Sequence, residues 1–152
     1  LTRWCHRYPF VANVVTATNT VVVISCVSYW ITRFLAVGVT HNFRALVAVY
    51  MVRAIAGAAT RLPRCVDEFK CVAELPPGNA SFFFVVSGHT AILYCTMVEL
   101  GTPWWGITLT ILLQSVRMVA MRGHYTADII IALALCIALT RTPDSSFSNQ
   151  LL

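Results

Sequence analysis

The chain has 152 residues, 58% of them hydrophobic and only 11% charged, with a mean hydropathy of +0.73. A typical soluble domain is about 25% charged, and a small one leaves most of its residues in touch with water. The composition therefore excludes a free-standing soluble protein and a disordered one. Net charge is +5 and the isoelectric point is near 9.1. Two arginines fall within or at the ends of apolar runs, which suits anionic lipid headgroups and argues against nucleic acid as a partner.

A membrane-spanning helix needs ~20 mostly apolar residues. The first predicted span is Val11 to Ile31, closed by Tyr29 and Trp30, and Arg33, His41 and Arg44 mark a polar connection. The second runs from Phe43 to Ala59 around Arg53. Residues 60–80 carry Pro63, Pro76, Pro77 and Gly78 and read as a loop. A third span covers Phe82 to Leu100, and Gly101-Thr102-Pro103 turns the chain. The fourth, Trp104 to Met121, starts on two tryptophans suited to the headgroup level. Arg122-Gly123 is a short turn, the fifth span is His124 to Thr140, and Thr142 to Leu152 is a polar tail. The expected fold is all-α: a single-domain polytopic membrane helix bundle over residues 1–152 with at least five spans, and six in the full protein. The start at Leu1 reads as a fragment or a processed chain.

Of six cysteines, Cys26, Cys95 and Cys136 lie in apolar stretches and read as small core residues. Cys65 and Cys71 lie in the long loop and can pair if it faces an oxidising lumen.

Five crossings from one N-terminal side bring the 60–80 loop and the 122–124 turn to that same side. Arg53, His89, Arg117, His124 and Asp128, from four predicted helices, then converge at one depth. Ionisable groups inside a membrane are costly and mark function. His124 and Asp128 are four residues apart and share a helix face. The carboxylate there fixes the imidazole tautomer and sharpens the free nitrogen as a nucleophile. The same pair also reads as a structural one. Arg117, set among Val116, Met118 and Val119, and Arg122, beside His124, are forked donors suited to phosphate oxygens; Arg122 alone also reads as a snorkelling interfacial arginine. Ser87-Gly88-His89-Thr90 offers a close backbone approach, free helix N–H groups and a proton carrier. A lone His in an apolar run is also a common core residue. Together these groups compose a phosphoryl-transfer site. The carboxylates are too scattered for a metal centre, so no metal or other cofactor is expected.

The pair SGHT and HYTAD, their histidines 35 residues apart, resembles the lipid phosphatase/phosphotransferase superfamily. The phosphatase form S-R-x5-H-x3-D is not met, because Arg117 is one residue too far from His124 and Val116 replaces the Ser. H-Y-T-x-D is closer to the sphingomyelin synthase type. Four blocks are similar to plant-type phosphatidylcholine:diacylglycerol cholinephosphotransferases: Arg53 to Pro63, Gly78 to Phe84, Ser87 to His89, and L-Q-S-V-R-x4-R-G-H-Y-T-x-D from Leu113 to Asp128. They lie within residues 42–140, the expected catalytic part, while loop 64–75 matches poorly.

The resemblance implies transfer of phosphocholine from phosphatidylcholine, the donor, to diacylglycerol, the acceptor, in the endoplasmic reticulum membrane. It implies His124 as nucleophile, Asp128 as its orienting carboxylate and His89 as acid and base. Arg117, Arg122, Arg53, Ser87 and Gly88 would hold the phosphate. A sphingomyelin or inositol phosphorylceramide type of synthase, a lipid phosphate phosphatase and a non-catalytic scaffold are the alternatives. The positive-inside rule puts the site in the cytosol. The sphingomyelin synthase likeness, Cys65/Cys71 and the sequon Asn79-Ala80-Ser81 favour the lumen, which is the expectation adopted.

Overall fold

A computed structural model describes residues 9–59, 86–120 and 126–141. These form five α-helices: α1 Pro9–Val37, α2 His41–Ala59, α3 Gly88–Glu99, α4 Trp104–Ala120 and α5 Thr126–Arg141. The all-α expectation holds for the described residues. Two helices, α1 over Asn13–Val37 and the whole of α2, are long and apolar enough to cross a membrane. With 17 residues α4 is at the lower edge of the ~17–25 that span a bilayer, and α5 has 16. The loop at 60–80, with Cys65 and Cys71, and the turn at Arg122-Gly123 lie outside the described residues.

Helix ends follow local chemistry. α1 continues past Trp30 and Arg33 to Gly38, whose φ of 83° takes the left-handed turn that glycine permits; its N–H donates to Phe34 O at 2.9 Å. Thr40 caps α2, accepting from the Phe43 N–H at 3.2 Å through its hydroxyl. Gly101, with φ 66°, closes α3 at the predicted turn, and its N–H donates to Val98 O at 3.0 Å.

The largest departure from expectation is α3. The predicted third span began at Phe82, whereas the helix begins at Gly88 and has 12 residues. At 1.5 Å per residue that is about 18 Å, well short of a ~30 Å hydrocarbon core. Ser87 sets the start: its backbone is extended and its hydroxyl accepts from the Thr90 N–H. This short helix is the hub of the bundle, touching α1, α2, α4 and α5. It buries Gly88, Thr90, Ala91, Ile92, Leu93, Cys95 and Thr96. Cys26, Cys95 and Cys136 are buried core residues, as expected.

The outer surface is apolar. Leu35 is 77% exposed, Leu113 63%, and Trp104 and Trp105 78% and 61%. In water so much exposed hydrocarbon would drive association; in lipid it is matched to its surroundings. The polar groups are turned inward or satisfied locally. Hydroxyls of Thr18, Ser25, Thr32, Thr108, Ser115 and Thr140 each donate to the carbonyl four residues back.

One end of the bundle is fastened by Glu99 at the end of α3. It accepts from Arg33 Nε at 3.2 Å and from Asn42 Nδ2 at 2.8 Å, joining α1, α2 and α3. One level inward, Trp30 Nε1 donates to Thr96 Oγ1 at 2.9 Å, and the Trp30 ring meets Phe43 at a centroid distance of 5.6 Å. Glu99→Leu leaves a half-buried amide and a guanidinium without their shared acceptor. The expected cost is about 1–3 kcal/mol, seen as a lower thermal midpoint of the detergent-solubilised full-length protein. Glu99→Gln, which keeps one acceptor oxygen, should lose less.

Candidate active site

The opposite end of α3 is a turn that three other helices grip. From α2, Arg53 Nη1 donates to Val86 O, and the Tyr50 hydroxyl donates to Gly88 O at 3.2 Å. From α5, Asp128 O accepts from the Ser87 N–H at 3.1 Å. From α4, Met118 Sδ receives the Ser87 hydroxyl at 3.6 Å. The Ser87 hydroxyl also accepts from Thr90 Oγ1 at 3.1 Å and from the Thr90 N–H at 3.4 Å.

The space at Gly88 is tight. A Cβ on Gly88 would stand 3.0 Å from Arg53 Nη1, 3.2 Å from Arg53 Cζ and 3.2 Å from the Tyr50 hydroxyl oxygen. Any side chain here pushes on a guanidinium that is already bonded to the turn.

Asp128 is 3% exposed, in the first turn of α5, and interacts electrostatically with Arg53 across the α2–α5 contact. A buried carboxylate needs such a cation close by. His89 is the second residue of α3, half-buried, with its Nδ1 shielded from solvent. Arg117 is in the last turn of α4, next to Met118, and its Nε donates to Gln114 Oε1 at 3.3 Å.

Of the expected site residues, Arg53, Ser87, Gly88, His89 and Asp128 are thus gathered at one end of the bundle, with Arg117 on the helix turn beside them. His124 and Arg122 lie outside the described residues. Ser87 has a different use from the one expected. It is fully buried, and both its N–H and its hydroxyl are engaged inside the protein. Spacing did not single out Tyr50, Met118 or Gln114. Tyr50 is three residues before Arg53 and Gln114 three before Arg117, so helical geometry alone puts each on its arginine's face. Met118 carried no signal, since an apolar residue in an apolar helix is unremarkable by sequence.

Beside this end runs an apolar groove between α4 and α5, about 710 Å³ in volume. It extends from Ser115 and Thr126, near Asp128, to Trp104 and Arg141 at the far end. Ser115 and Thr108 in its wall bond to their own helix at 2.7 and 2.9 Å, which leaves the lining apolar. Among the described residues no three His, Cys, Asp or Glu side chains are grouped to hold a metal ion.

An all-helical bundle with an apolar outer surface and two helices long and apolar enough to cross a membrane has the character of a membrane protein. The family model described as AtPDCT1/2 matches residues 1–142, and the chain belongs to that family. It is 33% identical over 134 residues to phosphatidylcholine:diacylglycerol cholinephosphotransferase 1 of Arabidopsis thaliana, covering 85% of this chain and 44% of that one. To cholinephosphotransferase 2 of the same plant it is 37% identical over 90 residues, covering 56% of this chain and 30% of the other. The chain therefore spans less than half the length of these relatives. No solved structure matches it.

Ser87→Ala removes the cap of α3 and leaves the buried Thr90 N–H without its acceptor. Loss of an N-cap costs about 1 kcal/mol. The expected result is a lower thermal midpoint of the detergent-solubilised full-length protein, read in a melting assay.

Proposed function

We propose that the protein transfers phosphocholine from phosphatidylcholine to diacylglycerol, as the printed names of its relatives describe for them. The observation that carries this reading is the grip of Arg53 and Asp128 on the Ser87-Gly88-His89 turn, in a member of this family. It supports a reading in which His89 serves as acid and base beside fixed positive charge at one end of an apolar bundle.

In the proposed mechanism His124 attacks phosphorus while Asp128 holds its ring. The P–O bond to the departing diacylglycerol breaks, and His89 gives that oxygen its proton. A phosphocholine–histidine intermediate remains. The incoming diacylglycerol hydroxyl gives its proton back to His89 and takes the phosphoryl group from His124. The two half-reactions are one another's reverse, so the same residue serves as acid and then as base. Arg117 and Arg122 hold the phosphoryl oxygens, and a guanidinium suits this because its planar fork matches two oxygens at once. Ser87 contributes through the turn it caps, and Gly88 through the close approach of Arg53. The groove between α4 and α5 gives a lipid tail an apolar wall beside the site.

This reading takes the chain as one domain that crosses the membrane five times, with a sixth span elsewhere in the full protein. The catalytic groups share one face, and the endoplasmic reticulum is the proposed membrane. A ceramide acceptor defines the second reading, favoured by the H-Y-T-x-D block around His124.

The deciding experiment gives purified full-length protein phosphatidylcholine labelled in its headgroup, with diacylglycerol labelled in its chains, ceramide, or no acceptor. The expected product is chain-labelled phosphatidylcholine with diacylglycerol. Sphingomyelin from ceramide would establish the synthase, and free phosphocholine without acceptor the hydrolase. In the same assay His124→Ala should lower turnover by ~10³-fold or more, as loss of a nucleophile does, and Asp128→Asn by less, since the nucleophile stays in place. Gly88→Ala, which displaces Arg53, should cost roughly tenfold, because misplacing a site by ~1 Å can cost ~10²-fold. Activity should survive exhaustive chelation of divalent metals. Loss under chelation, restored by magnesium or manganese, would replace the histidine mechanism with a metal-dependent one.

A further inference from the structure

Among the described residues the buried polar groups are Asp128, Ser87, Thr90 and Thr96 at α3 and its cap, and Asn19, at 5% exposure. It lies within α1, in the stretch apolar enough to cross a membrane. An amide in such a place must be hydrogen-bonded, because neither lipid nor water there will satisfy it. Its Oδ1 accepts from Gln114 Nε2 of α4 at 2.7 Å. The other end of the same amide, Gln114 Oε1, accepts from Arg117 Nε at 3.3 Å.

Two features separate this chain of bonds from an ordinary helix-surface contact. First, α1 and α4 are not among the closely packed helix pairs of the bundle. Close packing of the two helices therefore does not by itself force Asn19 against Gln114. Second, Gln114 is used at both ends, as donor to Asn19 and acceptor from Arg117. An amide fixed at its NH₂ end presents its oxygen in one direction only, and bonding at Nε fixes the torsion of the guanidinium it holds.

We propose that Asn19 and Gln114 are positioning residues that aim Arg117 at the transferred phosphoryl group. This inference rests on the phosphate-holding role proposed above for Arg117. The relay ends one residue from Met118, which meets Ser87 at the head of α3. A buried amide of α1 thus sets the orientation of a cation at the mouth of α4. In a low-dielectric site an oriented guanidinium is worth more than a mobile one, because no reorganisation is needed as charge develops.

The test uses the full-length protein in membranes, with Asn19→Leu and Gln114→Met, which keep approximate volume, and Asn19→Asp and Gln114→Glu, which keep an acceptor oxygen. Each is made alone and with Arg117→Ala. Transfer kinetics are measured, together with the rate at which phenylglyoxal modifies Arg117, followed by peptide mass spectrometry. The apolar variants should lower kcat by about five- to twentyfold, the scale of a modest misplacement, with KM nearly unchanged. The acceptor-keeping variants should stay within about threefold of wild type. In the Arg117→Ala background the apolar substitutions should have no further effect, since a relay has nothing left to position. Arg117 should react at least about three times faster with phenylglyoxal once released from Gln114. A loss that persists undiminished with Arg117→Ala, or an unchanged Arg117 reactivity in the apolar variants, would overturn the relay. If wild-type protein transfers no phosphocholine, the proposed activity fails by itself. Arg117 reactivity then decides the relay alone, a rise supporting it and no change overturning it.

Discussion

Buried backbone that leaves a helix must find its hydrogen-bond partners within the protein, because no solvent reaches it. That constraint governs the start of α3. Val86, Ser87 and Gly88 are buried where the chain enters α3, with other helices on every side that offers a partner. The carbonyls of Val86 and Gly88 go to Arg53 and Tyr50, the Ser87 N–H goes to Asp128 O, and the Thr90 N–H goes to the Ser87 hydroxyl. Three of these four bonds also tie the start of α3 to α2 and α5. Satisfying the turn and assembling the candidate site are therefore one act.

The small residues of the turn follow from this. Glycine at 88 is the space that the Arg53 guanidinium and the Tyr50 hydroxyl occupy. Serine at 87 is small enough to be fully buried and still caps a helix with its hydroxyl. A turn with larger side chains would have to move α2 away, and Val86 O would lose its donor. At the other end of α3 the fastening is between side chains, Glu99 accepting from Arg33 and Asn42.

Much of this was legible before any coordinates. Five apolar runs appear as five helices in the expected order, and the break at Gly101 falls where the turn residues put it. Counting crossings was enough to predict that Arg53, His89 and Asp128 share an end, because alternation of direction is a property of order alone. The length of α3 was not legible. Hydropathy is high from Phe82 onward, and it cannot sense that the Ser87 N–H is taken by Asp128 O, 41 residues away. The end of α1 was hidden for a related reason. Arg33 looks like a terminus by charge, yet it remains helical because Glu99 receives it from a distant segment. Asn19 shows the limit from the other side: one amide in a run of Val and Thr has no periodicity to betray it, and its meaning appears only when Gln114 meets it.

The two ends of α3 also fix each other. Gly88 stands against Arg53 and Glu99 against Asn42, and both pairs are separated by eleven residues along their antiparallel helices. Sliding α3 along α2 by one residue would shift it by about 1.5 Å and turn it by about 100°. Glu99 would then leave Asn42 and Arg33, Val86 O would leave Arg53, and Gly88 would no longer face the guanidinium. No partial slip keeps one end satisfied, since a helix transmits its register rigidly over this length. The polar cluster at the Glu99 end therefore does more than stabilise a distant surface. By fixing the register of α3 on α2, it sets how closely Arg53 approaches the Ser87-Gly88-His89 turn, some 16 Å away by helix rise.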